Sequence, residues 1–165
     1  MRALLESLYR EHRQGLFTLA MSIARNQQMA EDAVHEAFVK LYGRTAPPAG
    51  DPAAYVFAAV RNAAIDQLRR RAPCVGSATA ESMFEGRRSS QPSPDGAAMD
   101  EERDRIVQEA IEQLPDAQRE AVVLRLYGGL TFEQMAQAVG EPLSTVSTRY
   151  SKALEQLRKA LEMKV

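Results

Sequence analysis

An all-α protein of two helical domains is what this sequence predicts, and three observations carry that reading. Apolar residues recur at helical spacing through residues 3–72 and again through 101–163. No stretch alternates apolar and polar residues for long enough to make a strand. Between the two parts, residues 74–99 have no sustained apolar period and carry Pro92, Pro94, three Gly and five Ser. That composition buries too little apolar surface to offset the entropy of ordering. The segment also exceeds the roughly 12–15 residues usual for a structureless loop inside one domain. The expected boundaries are a first domain over 1–72, a linker over 73–100 and a second domain over 101–165, with Pro73 ending the helix before it.

The first helix is predicted over about 2–25, with Leu5, Leu8, Leu16, Leu19, Ala20 and Ile23 inward. Asn26-Gln27-Gln28 reads as a polar break. A second helix is predicted over about 30–43, its stripe Ala33, Val34, Ala37, Phe38 and Leu41 opposed by Glu31, Asp32, His35, Glu36 and Lys40. The Pro/Gly loop 45–51 ends in Asp51, a natural N-cap, and Pro52 suits the first helical position of a third helix over 52–72. Val56, Val60, Ala64 and Leu68 form its apolar face. Its end is basic: residues 61–71 hold four Arg against one Asp.

The second half opens acidic, with eight Asp/Glu and three Arg over residues 100–120. Val107, Ala110, Ile111 and Leu114 mark one helix. Pro115 starts another, over 115–127, with Val122, Val123 and Leu126 inward, and Gly128-Gly129 ends it. Thr131 and Gln134 form a capping box for a short helix over 132–139. Gly140 and Pro142 turn the chain. Ser144 is the expected cap of a last helix to about 162, whose apolar face is Val146, Tyr150, Ala153, Leu154, Leu157 and Leu161.

Composition excludes several functions. The net charge is −1, so no uniform basic coat covers the protein, although local basic patches remain. A single cysteine, Cys74, permits neither an intramolecular disulfide nor a Cys-based zinc cluster. His12 and His35 lack metal-ligand spacing. The charged N-terminal stretch is neither a signal peptide nor a membrane span. No nucleophile–base pair, phosphate loop or metal box is found. A cytoplasmic, cofactor-free, non-catalytic protein without membrane insertion is expected, with no metal site.

Three constellations remain. A short capped helix, a turn at Gly140 and a second helix have the pattern of a helix-turn-helix, with Met135, Ala136, Val139, Leu143, Val146 and Tyr150 locking the pair. The second helix then presents Thr145, Ser147, Thr148, Arg149, Ser151 and Lys152, hydroxyls for close approach and cations for phosphate or guanine. A helical hairpin with a solvated face would give the same pattern. Tyr55, Phe57, Arg61, Asn62, Asp66, Arg69 and Arg70 suit unpaired bases and phosphates; the plainer reading puts Phe57 in the core and the arginines at a helix C-terminus favoured by the macrodipole. Glu31, Asp32, His35 and Glu36 could face a protein partner or only solvent.

The order of these words is more telling than any one of them. AEDAVHEAFVKLY, AYVFAAVRNAAIDQLRRR, a variable linker, and then IEQLPDAQREAVVLRLYGGLTFEQMAQAVGEPLSTVSTRYSKALEQLRKAL resemble the ECF-type bacterial sigma factors over about residues 4–72 and 104–161. The resemblance implies a sigma-two-like and a sigma-four-like domain. It implies that Glu31, Asp32, His35 and Glu36 dock on core RNA polymerase. It implies that the stretches 44–51 and 55–70, with Tyr55, Arg61, Asn62, Asp66, Arg69 and Arg70, melt and read the minus-ten element of promoter DNA. The helix-turn-helix would read the minus-thirty-five element, and an anti-sigma factor is an expected partner. The sequence departs from the family in having Tyr55 where Trp is frequent and Ser147 where a cation is frequent. No extra C-terminal domain is expected, so regulation is expected from outside the chain or from expression level. Two other readings fit the pattern alone: a duplex-DNA regulator that works without polymerase, and a helical adaptor that titrates a sigma factor or polymerase.

Overall fold

The computed structural model describes residues 1–71, 83–84 and 97–163, and these are built of helices. They are α1 (Arg2–Ala24), α2 (Gln27–Tyr42), α3 (Pro52–Arg71), α4 (Ala97–Glu112), α5 (Asp116–Val122), a π-helical turn (Val123–Tyr127), α6 (Phe132–Val139) and α7 (Leu143–Met163). Cys74 lies outside the described residues.

The first three helices form a bundle. Leu16, Leu19, Ala20 and Met21 of α1, Ala30 and Ala33 of α2, and Ala54, Phe57, Val60 and Ala64 of α3 are all fully buried. The abundance of alanine lets the helix backbones approach closely, with Leu16, Leu19, Met21, Phe38, Leu41 and Phe57 filling the space between them. Asn26 is part of the structure rather than a break: its side chain accepts from the Met29 amide, and α2 begins at Gln27. Asp51 caps α3 by accepting from the Ala54 amide.

In the second half the Thr131/Gln134 capping box forms as expected, and Gly140 takes the left-handed conformation that ends α6. Ser144 is not the cap expected of it. Helix α7 already begins at Leu143, and Val146 donates to the Pro142 carbonyl, so Ser144 sits inside the first turn. Leu126 is also not inward, being 56% exposed. The wide turn after Val122 is closed by the Gly128 amide on the Val123 carbonyl, five residues back. One extra residue in a turn rotates the side chains beyond it, so Val122, Val123 and Leu124 are buried and Leu126 faces out. Leu68, Leu143 and Leu154 are likewise exposed, near helix ends or on the flank of the stripe.

The two halves are one body with a continuous core. The π-helical turn and α5 pack on α1, and α6 packs on α3. The segment read as a linker contributes to that core: Met83 and Phe84 are buried, Phe84 lies 5.6 Å from the Tyr127 ring, and the Met83 amide donates to Glu112. Helix α4 also starts at Ala97, inside the expected linker.

Candidate nucleic-acid interface

Helix α7 is positioned by its apolar stripe. Val146, Ala153 and Leu157 are buried, and Tyr150 meets Phe132 of α6 edge-on at 5.5 Å. Helical geometry then turns Thr148, Ser151 and Lys152 to solvent, while Thr145, Ser147 and Arg149 are half-buried on its flank. Arg149 is held by Glu141 at 3.6 Å, and the Ser147 hydroxyl donates to the Ser144 carbonyl. Lys152 makes no ion pair with a described residue. Of the six residues expected on this face, Thr148, Ser151 and Lys152 are exposed, and Thr145, Ser147 and Arg149 lie half-buried to either side of them.

The second set, on α3, divides. Tyr55, Asn62 and Asp66 line a cleft of about 280 Å³ between α3 and α2, closed on the other side by Lys40 and Arg44. The Arg44 guanidinium lies over the Tyr55 ring, 5.2 Å from its centroid. An aromatic, two cations and an amide around a small cleft can stack one base and hold a phosphate. Arg61 points elsewhere. Its Nε donates to Glu120 of α5 at 2.8 Å, across the junction of the halves. Arg70 donates to both carboxylate oxygens of Glu36, while Arg69 is exposed. Phe57 is fully buried, as the plainer reading had it.

The acidic face of α2 divides as well. Glu36 accepts from Lys40 and Arg70, and these hold its carboxyl below the usual range against the opposing effect of burial. Asp32 pairs with Arg71 at 3.2 Å. The acids and arginines that the sequence sets some 35 residues apart thus neutralise each other within the bundle. Glu31 and His35 instead border a groove of about 650 Å³ between α1 and α2, floored by Tyr9, Phe17, Phe38 and Tyr42. Tyr9 meets Phe38 edge-on at 5.2 Å. Sequence reasoning missed this groove. Tyr9 falls on the polar side of α1 and Tyr42 at the end of α2, and two exposed aromatics in otherwise charged surroundings were the available signal.

The word LP-x-x-x-R, from Leu114 to Arg119, has a structural basis. The Arg119 guanidinium donates to the carbonyls of Glu112 and Leu114 at the end of α4, and it also pairs with Asp116. Arg119 thereby satisfies carbonyls that the helix end leaves open. No described helix is long and apolar enough to cross a membrane. Among the described residues, no cluster of three or more His, Cys, Asp or Glu could hold a metal ion.

Comparison with known proteins agrees with this geometry. Residues 8–73 match the family model for sigma-70 region 2, and residues 104–157 match that for sigma-70 region 4. The chain is 34% identical over 152 residues to the RNA polymerase sigma-H factor of Pseudomonas aeruginosa, covering 87% of this chain and 79% of that protein. It is 28% identical to the ECF RNA polymerase sigma factor SigK of Mycobacterium ulcerans, covering 89% and 80%. It is 27% identical to the RNA polymerase sigma factor SigV of Bacillus subtilis, covering 95% and 90%. In fold it is similar to the sigma factor RpoE of Bartonella quintana, solved in complex with the anti-sigma factor NepR, with a TM-score of 0.67 at 23% identity over 97% of this chain and 92% of that one.

Proposed function

The chain belongs to the sigma-70 family of RNA polymerase sigma factors, as an ECF-type member serving promoter-specific transcription initiation, and from that premise we propose how its surfaces divide the work. Residues 1–72 dock on core RNA polymerase and act on the minus-ten element, 73–100 connect, and 101–165 read the minus-thirty-five element. The docking surface is the aromatic groove of Tyr9, Phe17, Phe38 and Tyr42 with Glu31 and His35 at its border. An apolar floor with a charged border is what a protein helix with complementary charge requires. Tyr55 and Asn62, with Lys40 and Arg44 opposite, receive an unpaired base of the opened strand. Thr148, Ser151 and Lys152, flanked by Thr145, Ser147 and Arg149, enter the major groove. The protein performs no chemistry of its own and acts in the cytoplasm. An anti-sigma factor is a natural partner, since the similar RpoE binds one.

The observation that carries this reading is the presence on one chain of a base-sized cleft with an aromatic wall and a helix-turn-helix with a solvent-facing second helix. Run-off transcription with core polymerase and the added protein tests it. Promoter-specific transcripts that vanish without the protein support it. A footprint on duplex DNA without polymerase, and no transcript with it, would establish the regulator instead.

A further inference from the structure

We propose that Glu141, in the turn before α7, reads DNA bases together with Arg149: the two side chains act as one acid–base couple that selects a single G·C pair within the minus-thirty-five element. This deepens the proposed function, on which it rests, by naming the base pair that the leading end of the reading helix takes.

The couple is placed by a tight turn. Gly140 in the left-handed conformation ends α6, and the Glu141 amide donates to the Ala136 carbonyl at 3.2 Å. That bond is the one that closes a Schellman motif. Pro142 fixes the next backbone step, and its carbonyl accepts from the Val146 amide to open α7. The Glu141 backbone is thus held between two helices, at the leading end of the helix that a helix-turn-helix inserts into the groove. Arg149 stands on the second turn of α7. Helical side chains lean toward the N-terminus, so its guanidinium reaches back toward the turn. There its Nη2 lies 3.6 Å from Oε1 of Glu141. The two side chains are 34% and 42% exposed, so solvent screens the pair and it contributes little to the fold.

The remaining polar atoms match the edge of a G·C pair. Among the described residues, the second carboxylate oxygen of Glu141 and the other guanidinium nitrogens of Arg149 have no partner. The couple therefore offers a fork of donors beside an acceptor. In the major groove a G·C pair presents guanine N7 and O6 as adjacent acceptors, followed by the cytosine N4 amino donor. The fork faces the two acceptors, and the carboxylate accepts from the amino group. An A·T pair presents acceptor, donor, acceptor, so one arm of the fork meets the adenine N6 amino group and the pair is rejected. The same couple accounts for an acid at a turn that faces DNA. Alone, a carboxylate there would repel phosphates whatever the sequence. Paired with Arg149 it leaves the tip neutral, and the order of donors and acceptors is what remains to be read.

The test uses the full chain with core polymerase. Promoter duplexes randomised over the minus-thirty-five region are selected with the wild type, Glu141→Ala, Arg149→Ala and the double variant. The wild type should demand one G·C pair that neither single variant demands, with the other positions unchanged, and the double variant should lose no more than the singles. In binding titrations, replacing that pair by A·T should weaken the wild type about tenfold and each variant by less than about twofold. Replacing its guanine by 7-deazaguanine, which lacks the N7 acceptor, should weaken the wild type and leave Arg149→Ala unchanged. A change that is uniform over all promoters in both single variants makes the pair a brace of the turn and overturns the proposal. Loss of the G·C demand in Arg149→Ala alone removes Glu141 from the reading head and overturns it too. Run-off transcripts absent with the wild type overturn the functional reading itself. Transcripts present with no G·C demand in the wild type, or with one that neither variant moves, overturn only the couple.

Discussion

Glu36 and Arg70, on α2 and α3, are joined by two hydrogen bonds of 3.3 and 3.0 Å from one guanidinium nitrogen to both carboxylate oxygens. An acid assigned by pattern to a protein partner and a base assigned to DNA are thus each other's partner in the bundle. Charge reversal at Glu36 alone would disturb both surfaces, so the double variant Glu36→Arg/Arg70→Glu is the informative one. Arg70 is well exposed, and such a pair contributes less than about 1 kcal/mol. Urea unfolding should show a small loss in each single variant and partial recovery in the double. Because the Glu36 pKa is lowered, chiefly by Lys40, its contribution is present above the ordinary Glu pKa and fades as pH falls through its folded value.

Asp51 behaves in the same sense. Its carboxyl is held low chiefly by the Ala54 amide, with further help from Gln134. The cap and the interdomain bond are therefore intact above the ordinary Asp pKa of about 4 and weaken as pH falls through the folded value. Asp51→Ala should cost about 1 kcal/mol in thermal or urea unfolding, and Asp51→Asn distinctly less, since Asn also caps. The pH dependence below about 4 should be shallower in Asp51→Asn.

Arg119 should prove structural. It is mostly buried and donates to two carbonyls at the end of α4. Arg119→Ala should cost about 2 kcal/mol, since a charged donor to a backbone carbonyl contributes about 1.5–3 kcal/mol. Arg119→Lys should recover only part of it, because one ammonium cannot match the planar fork. Promoter preference should not change in either variant, which selection from a promoter library would read.

Tyr55→Ala should slow promoter opening by removing a stacking surface of about 1–3 kcal/mol, and Tyr55→Trp should retain it. Permanganate reactivity of unpaired thymines in the minus-ten strand measures this. Equal opening by Tyr55→Ala and wild type would remove the cleft from the assignment.

Lys152→Ala should weaken binding of the holoenzyme to all promoters alike and lower its salt dependence by about one unit, as loss of a phosphate contact does. Thr148 substitutions should instead change sequence preference by about 1–3 kcal/mol per altered contact. Both are read from promoter-binding titrations across a salt series.

Features governed by a single turn were legible in the residue order. The Thr131/Gln134 box, the left-handed Gly140 and the outward set on α7 arise from local hydrogen bonding and the 3.6-residue period. Likewise the all-α class comes from periodicity, and the family from the spacing of its words. The joining of distant parts was not legible. The pairs Asp32–Arg71, Glu36–Arg70 and Arg61–Glu120, and the groove floored by Tyr9 and Tyr42, depend on how helices pack. Charge and periodicity show which residues leave a helix on the same side, not which neighbour waits there. The same limit applied to Met83 and Phe84, whose burial comes with the approach of Tyr127 and Glu112 from elsewhere in the chain. Gly15 is the extreme case. In the sequence it is an ordinary glycine inside a helix, and only the approach of a second backbone to within the width of a methyl group gives it a reason to be there.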